Sequence, residues 1–304
     1  MMESLASDTA VEFAILAMDE LTAEVVQNAI PRAKVFRMDA ILSFEPRLEN
    51  ALIGRSTAEQ FFTIGPTFLA FCAESAPWAR WLVYADADLK FFKPLSRYLS
   101  DFDSYATVLA PHRHYWWNAR RLAKFGRFNV GMVPFNMSKS GLKLITYWAT
   151  ACLDWCFDKP ESGKYADQGY LEKFESEAPG LVAVDSSLGV NLAPWNSSFL
   201  QVSVSKMGHL QVGSSPLIYF HFQGLKFVAG RWHLGHISYL SAANKSIRQH
   251  VYLPYLTDLE KVRIRHNLPE HGSSRDATSL LGRISARVIL WISVILRQRI
   301  EAKS

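Results

Sequence analysis

The chain has 304 residues, of which 49% are hydrophobic and 20% charged, so it can bury a large core as one domain or as one domain with an appendage. It lacks low-complexity tracts and internal repeats, which excludes disordered chains and solenoids. Three cysteines are too few for a disulfide framework, and the N-terminus lacks the charged and apolar segments of a signal peptide. We therefore expect a protein of the reducing cytoplasm.

Alternating apolar patterns place strands and helices in turn along the chain. Strands are predicted over 11–18, 34–37, 81–85, 105–110, 129–135 and 217–222, and helices over 21–30, from Ser56, from Pro94 and from Ser138 to about Phe157. Gly65-Pro66 predicts a break, or a new first turn, in the helix that begins at Ser56. The alternation predicts an α/β fold with a mixed, mainly parallel sheet flanked by helices.

Two aspartates, Asp86 and Asp88, stand one residue apart at the end of the predicted strand 81–85. Mg²⁺ and Mn²⁺ prefer oxygen ligands, and Mg²⁺ sites often combine one or two carboxylates with substrate phosphates. Strand ends are also where open α/β sheets bind ligands. The pattern therefore indicates a divalent cation shared with a diphosphate, and a solvated turn is the alternative reading. Since no glycine-rich phosphate loop occurs, basic side chains would supply the remaining phosphate contacts.

Residues 263–304 differ from the rest of the chain in charge. They carry eight Lys or Arg against three acidic side chains, so the net charge of +5 lies in this segment and residues 1–262 are close to neutral. We therefore predict a globular domain over 1–262 and a basic helical tail over 263–304. The apolar run 288–296 is too short to span a bilayer. With its flanking arginines it predicts an interfacial helix over 283–299 on an anionic membrane, which would place the protein at the inner face of the cell membrane. A helix docked on the body is the alternative, and no nucleic-acid reader motif accompanies the charge.

Several sequence blocks occur in the order found in one group of enzymes. They are Arg55-Ser56, Thr63 with Pro66, 84–92, 111–113, 127–131, 163–168 with 170–171, 191–196 and 221–226, and they cover about residues 11–260. Through these blocks the chain resembles bacterial sugar-nucleotide glycosyltransferases of the GT-A fold, in a group related to glycosyltransferase family 8. The resemblance implies a GT-A-like domain over 1–262 that transfers a hexose from a nucleotide sugar, with UDP as the expected nucleotide.

The same resemblance implies that Asp86, Asp88 and His221 hold the cation against the donor diphosphate. Imidazole is a softer ligand than carboxylate, so this set suits Mn²⁺ somewhat better than Mg²⁺. Gly224 permits close backbone approach, and Lys226 supplies a positive charge for the departing phosphate. Metal and lysine together would stabilise the charge that develops on the nucleoside diphosphate. A histidine of the apolar core is the alternative for His221.

Asp167 and Gln168 resemble a pair that lines the sugar face in these enzymes. In the retaining members the residue at the position of Gln168 lies beneath the anomeric carbon. An amide is a poor nucleophile, so front-face displacement with retention is favoured over double displacement. Asp167 would bind sugar hydroxyls, with a helix cap as the alternative. Asn129 and Gly131 fit the strand that borders the donor sugar, and Arg55 resembles a donor-sugar or phosphate contact, with a surface arginine as the alternative.

The loop 112–124 is rich in basic and aromatic residues. Aromatic faces bind sugars and guanidinium groups bind phosphates. The loop therefore suits a phosphorylated or lipid-linked glycan. For the whole protein we expect an acceptor that is a cell-surface glycan or its lipid-linked precursor, as in polysaccharide biosynthesis. An ordinary loop that closes over the site is the alternative.

The N-terminal segment departs from the pattern of the related enzymes. In them a strand and a helix precede the segment that 11–18 resembles, and that first strand contacts the uridine. Either 11–18 serves as the first strand, or the nucleotide-binding edge lacks it. Residues 11–18 match the second strand of these enzymes better than the first, because Asp19 and the helix after it follow the pattern of the second strand. Without the first strand the pocket for the base would lack one wall, which predicts weak binding of a UDP-sugar.

Two other classes of protein remain open. A phosphatase of the haloacid-dehalogenase type also places two aspartates, one residue apart, after a strand, and uses the first as the nucleophile. There the pair usually lies near the N-terminus, whereas here it lies at mid-chain. The second alternative is a catalytically silent glycan-binding or scaffolding protein.

Overall fold

The computed structural model describes residues 1–5, 7–228, 231–267 and 299–301. The α-helices are α1 Met2–Leu5, α2 Glu20–Ala29, α3 Met38–Phe44, α4 Arg47–Leu52, α5 Thr57–Ser75, α6 Leu95–Leu99, α7 Ala119–Phe125, α8 Lys139–Asp154, α9 Phe174–Glu177, α10 Lys245–Ile247 and α11 Leu253–Arg265. The strands are β1 Ala14–Leu16, β2 Lys34–Phe36, β3 Trp81–Ala85, β4 Leu89–Phe91, β5 Thr107–Leu109, β6 Met132–Asn136, β7 Val182–Val184, β8 Val202–Val204, β9 Leu210–Val212, β10 Ser215–Pro216, β11 Tyr219–His221, β12 Lys226–Val228, β13 Arg231–His233 and β14 Arg299–Glu301. The predicted α/β class is confirmed.

The chain divides into two compact units. The first unit comprises 1–87, 93–112 and 119–186, and the second comprises 88–92, 113–118 and the described part of 187–304. The chain therefore passes from one unit to the other within the segment that carries the two aspartates.

The first unit contains a four-stranded sheet in the order β3-β6-β5-β7 and a separate parallel pair, β1 with β2. Strand β6 runs antiparallel to both β3 and β5, while β5 and β7 are parallel. The predicted mixed, mainly parallel sheet is confirmed, because β3, β5 and β7 run in one direction and β6 runs in the opposite direction. Strand β6 lies between β3 and β5 and is therefore antiparallel to both of its neighbours.

The core of the first unit forms where helices α5 and α8 pack beside this sheet. Trp148 of α8 is fully buried, and its ring stacks on Phe135 of β6 with 5.9 Å between centroids. The Ser138 hydroxyl caps the start of α8 by accepting from the backbone N–H of Gly141, as the sequence predicts. A Cβ at Gly141 would lie 1.8 Å from the carbonyl oxygen of Asn136, so glycine is required for this close contact.

Helix α5 begins with a capping box between Ser56 and Glu59 and then continues through Pro66 to Ser75. The predicted break or new first turn at Gly65-Pro66 is therefore wrong. A proline inside a helix removes one backbone hydrogen bond, but the turn that contains it is buried against the core, with Ile64 only 3% exposed. Tertiary packing offsets the lost bond.

The second unit contains three small antiparallel groups: β4 with β11, β8 to β10, and β12 to β14. Its core includes Phe220 and Phe222 around β11, together with Tyr252 and Tyr255 from the C-terminal helical region. The rings of Phe222 and Tyr255 stack with centroids 3.7 Å apart. This packing fixes one face of the strand, and the side chain of His221 lies on the opposite face.

The predicted basic tail over 263–304 falls mostly outside the described residues. Its first residues belong to α11, and Arg299–Glu301 form β14 rather than the end of a helix over 283–299. Among the described helices, none has the length and apolarity needed to cross a membrane.

Candidate active site

Asp86 follows directly on β3, at the strand end that the sequence predicts. Its backbone N–H donates to the carbonyl oxygen of Gly131 over 2.8 Å, which extends the pairing of β3 with β6 by one residue. Side chains two residues apart share one face of a strand, and the hydroxyl of Tyr84 accordingly donates to Asp86 Oδ1 over 3.0 Å. Backbone and side chain of Asp86 are thus both oriented by hydrogen bonds.

Asp88 and His221 are brought together by the antiparallel pairing of β4 with β11. In that register His221 stands opposite Leu89, and the backbone N–H of Phe222 donates to the carbonyl oxygen of Asp88 over 2.9 Å. His221 Nε2 lies 3.1 Å from Asp88 Oδ1. The His221 side chain is 2% exposed and that of Asp88 is 40% exposed, so a buried imidazole faces a carboxylate that solvent can reach.

The three predicted metal ligands form one cluster. Asp86, Asp88 and His221 each offer one ligand atom, and these atoms lie within 4.8 Å of one another. Burial by itself would raise the pKa of Asp88, but the hydrogen bond and the positive charge of His221 lower the pKa below its usual value. Two carboxylates and an imidazole fit a divalent cation of the Mn²⁺ or Mg²⁺ class.

A third acidic group, Asp167, lies within electrostatic range of Asp86. Its side chain is almost fully buried. Burial and the negative charge of Asp86 raise the pKa of Asp167 to about 8, against the opposing effect of nearby backbone N–H groups. Asp167 precedes a short 3₁₀ helix, Gln168–Lys173, but its side chain forms no capping hydrogen bond there. The helix-cap alternative is therefore wrong, and the carboxyl remains available for another partner.

Gln168 and Asn129 are held by contacts to backbone groups. Gln168 Nε2 donates to the carbonyl oxygen of Phe125, and Asn129 Oδ1 accepts from the N–H of Gly131 over 3.1 Å. Because the carbonyl of Gly131 also accepts from Asp86, the segment 129–131 and the first aspartate are directly connected. The predicted donor-binding roles of Asn129 and Gly131 stay predictions.

Arg55 is buried, which differs from the surface position considered above. Its guanidinium donates to the carbonyl oxygens of Cys152 and Leu153, each over 2.9 Å, and to the Thr63 hydroxyl. It thereby satisfies carbonyls in the last turn of α8, where a positive charge is favourable. This structure thus gives Arg55 a helix-terminating role, and its contact with a donor stays a prediction.

Gly224 and Lys226 follow His221 at a turn. Gly224 has φ +77°, a backbone conformation that favours glycine. Lys226 opens β12, where it pairs with His233 and is exposed to solvent. The roles of both residues towards a phosphate stay predictions.

Sequence reasoning missed two residues that orient the ligands. Tyr84 lies inside the motif 84–92, and its position two residues before Asp86 could have identified it, since it must share that strand face. Trp195, which is 2% exposed, packs edge-on against the His221 ring with centroids 5.4 Å apart. That contact joins distant parts of the chain, and no sequence signal predicts it.

No protein-family model matches the chain. It is 26% identical over 253 residues to the uncharacterized protein YfnD of Bacillus subtilis strain 168, covering 81% of this chain and 79% of that one. It is 28% identical over 224 residues to YfnF of the same strain, covering 71% and 72%.

Two solved structures show a weaker likeness. One is a glycosyltransferase involved in the glycosylation of the major capsid of PBCV-1, with a TM-score of 0.38, 15% identity, and coverage of 60% of this chain and 86% of that one. The other is mouse xyloside xylosyltransferase 1 in its apo form, with a TM-score of 0.39, 13% identity, and coverage of 69% and 83%.

Proposed function

We propose that this protein is a metal-dependent glycosyltransferase of the GT-A type that moves a hexose from a nucleotide sugar to a glycan acceptor. The observation that carries the proposal is the cluster of Asp86, Asp88 and His221, whose ligand atoms lie within 4.8 Å of one another. Two carboxylates that follow a strand, joined by a histidine from another strand, suit a cation that also binds a diphosphate.

The ligand set favours Mn²⁺ over Mg²⁺, because it includes an imidazole. When bound, the cation would offset the negative charge that develops on the departing nucleoside diphosphate. The chain's own contribution is to orient the ligands. Tyr84 holds the Asp86 carboxylate, strand pairing holds His221 beside Asp88, and Lys226 supplies a further positive charge for phosphate.

Asp167 and Gln168 would form the sugar side of the site. With a pKa of about 8, Asp167 is largely protonated near neutral pH when no cation is bound, so it can donate a hydrogen bond to a sugar hydroxyl as well as accept one. The amide of Gln168 is a poor nucleophile. We therefore propose retention by front-face displacement. The acceptor oxygen bonds to the anomeric carbon as the bond from that carbon to phosphate breaks, and the acceptor proton passes to the departing phosphate oxygen.

The finer assignments follow the resemblance described above. UDP is the proposed nucleotide, and the proposed acceptor is a cell-surface glycan or its lipid-linked precursor. The basic segment 263–304 supports a peripheral position at the inner face of the cell membrane. Asn129 and Gly131 would border the donor sugar, and Gly224 would allow close approach of the donor to the backbone.

A thermal-shift panel tests the proposal directly. UDP, GDP, CDP and their sugars are compared with and without Mn²⁺, and stabilisation by one nucleotide only when Mn²⁺ is present is expected. The same samples are then tested for release of nucleoside diphosphate in the presence of candidate acceptors. Rapid phosphate release from a generic phosphoester would instead support the alternative that the protein is a phosphatase of the haloacid-dehalogenase type. Glycan binding without stabilisation by any nucleotide would support the alternative of a catalytically silent glycan-binding or scaffolding protein.

A further inference from the structure

A groove of about 530 Å³ lies in the first unit, and one of its lining residues follows Asp167 and Gln168 directly in the sequence. Its walls come from Lys124, Gly126, Arg127, residues 160–165, Gly169 and Glu172. Gly169, one of the lining residues, directly follows Gln168, and Gln168 is itself hydrogen-bonded to the carbonyl of Phe125. A group bound in this groove would therefore lie close to the sugar side of the site.

One wall of the groove is a tight turn. Glu161 and Lys164 exchange two backbone hydrogen bonds of 3.0 and 2.8 Å, and the two residues between them, Ser162 and Gly163, have φ of +49° and +75°. Positive φ at both central positions is the pattern of a type I′ turn. A serine in this conformation is uncommon. The turn fixes the backbone from which Lys164 reaches the groove.

Three cations line the groove: Lys124, Arg127 and Lys164. All three are exposed, and none forms an ion pair with any residue in the described part of the chain. The two carboxylates of the groove are already engaged. Glu161 pairs over 2.9 Å with a lysine that does not line the groove, and Glu172 accepts from the backbone N–H of Arg127. Three cations against two carboxylates leave the groove with a net charge of +1, or +2 when Glu161 is counted with the lysine outside the groove.

Aromatic rings support all three cations, and Lys164 Nζ lies 5.7 Å from the ring centroid of Trp155. Lys124 Nζ lies 4.7 Å from the ring centroid of Phe125, and the guanidinium carbon of Arg127 lies 4.2 Å from that of Phe128. The Phe125 ring also contacts Tyr165, with centroids 4.8 Å apart. Such contacts restrict long side chains without neutralising their charge, so an anion would meet cations that are partly positioned in advance.

We propose that this groove binds a phosphoryl group of the acceptor, such as the phosphate or pyrophosphate that joins a glycan to its carrier. The inference rests on the proposed function, because it assigns the groove to the acceptor rather than to the donor. Phosphate is the anion that matches the site, since its oxygens can accept from two lysines and one arginine at once. Lys124 and Lys164 make the phosphate contacts, and Ser162 lies in the same wall.

Titration calorimetry in EDTA tests the groove without the metal site. Inorganic pyrophosphate and a hexose 1-phosphate are titrated into the full chain, into a Lys124→Gln/Lys164→Gln double variant, and into Lys139→Gln. Lys139 is an exposed cation of the same unit that does not line the groove, so it is the matched control. We expect the double variant to bind both probes at least about tenfold more weakly, as loss of charged hydrogen bonds implies, and the control to bind as the parent does.

The outcomes separate the groove from the proposed function. Absence of binding by the parent, unchanged binding by the double variant, or an equal loss in Lys139→Gln would overturn the assignment. Stabilisation by UDP with Mn²⁺ is measured on the same proteins and is expected to be the same in all three, so failure of the donor site is recognised independently.

Binding to vesicles that contain anionic phospholipid is measured as a last experiment. Binding of vesicles, but not of the hexose phosphate, through Lys124 and Lys164 would identify a lipid headgroup as the source of the phosphate.

Discussion

His221 lies 3.1 Å from Asp88 because the backbones of their two strands are paired. The hydrogen bond from the N–H of Phe222 to the carbonyl of Asp88 extends that pairing past the last paired residues. The positions of the two side chains are thus set by the sheet, not by their attraction to each other. Either side chain can therefore be replaced while the surrounding backbone keeps its arrangement.

Asp88→Asn is expected to abolish the Mn²⁺-dependent stabilisation by nucleotide while leaving the fold intact. The amide keeps the shape of the side chain but removes a charged oxygen ligand. Thermal shift with UDP and Mn²⁺ measures the effect, and circular dichroism checks the fold. Asp101→Asn, an exposed aspartate of another segment, is the control and should respond as the parent does. Unchanged nucleotide-dependent stabilisation in Asp88→Asn would contradict the ligand assignment.

Tyr84→Phe is expected to weaken Mn²⁺ binding about tenfold, since partners that orient metal ligands typically contribute this much. The substitution removes only the hydroxyl that donates to Asp86 Oδ1 over 3.0 Å. Its ring, which packs edge-on against Trp148, is retained. Calorimetric titration with Mn²⁺ measures the affinity. Tyr105→Phe, at an exposed tyrosine, should have no effect, and an equal loss in both variants would rule out an orienting role for Tyr84.

The sequence predicts the ligand cluster but not the contacts that orient it. Asp86 and Asp88 are marked by a strand end, and the type and position of β3, α8 and β11 follow from apolar periodicity and caps. The role of Arg55 could not be predicted, because it depends on where the end of α8 lies in space. Helix α5 passes through Pro66 for the same reason, since local propensity yields to tertiary packing. Likewise, the antiparallel position of β6 depends on long-range pairing.

Asp167→Asn is expected to flatten the dependence of stability on pH in the metal-free protein. Because the folded-state pKa of Asp167 is raised from 3.8 to about 8, the folded state holds a proton that the unfolded state has lost between these pH values. The free energy of unfolding should therefore fall as pH rises through this window, by up to about 1.4 kcal/mol per pH unit. Asparagine does not titrate, so its urea-unfolding profile should lack this component. Parallel profiles for parent and variant would show that Asp167 is not buried as a neutral acid.

Arg55→Ala is expected to destabilise the fold by about 3 kcal/mol or more, because buried carbonyls at the end of α8 lose a charged donor. Arg47→Ala removes an exposed ion pair with Glu45 and should cost about 1 kcal/mol or less. Chemical denaturation measures both. A small effect of Arg55→Ala on stability, together with a large loss of UDP affinity, would instead support the predicted contact of Arg55 with the donor.

The most direct test of the metal centre is pulsed electron paramagnetic resonance of Mn²⁺ bound to the protein together with UDP, at nucleotide concentrations high enough to detect weak binding. If Asp86, Asp88 and His221 share one cation with a nucleoside diphosphate, the spectrum should show coupling of manganese to ³¹P of the nucleotide and to ¹⁴N of a histidine. The nitrogen coupling should disappear in His221→Gln and persist in His209→Gln, an exposed histidine elsewhere in the second unit. Nitrogen coupling that survives in His221→Gln, or manganese that shows no phosphorus coupling in the parent protein, would contradict the account.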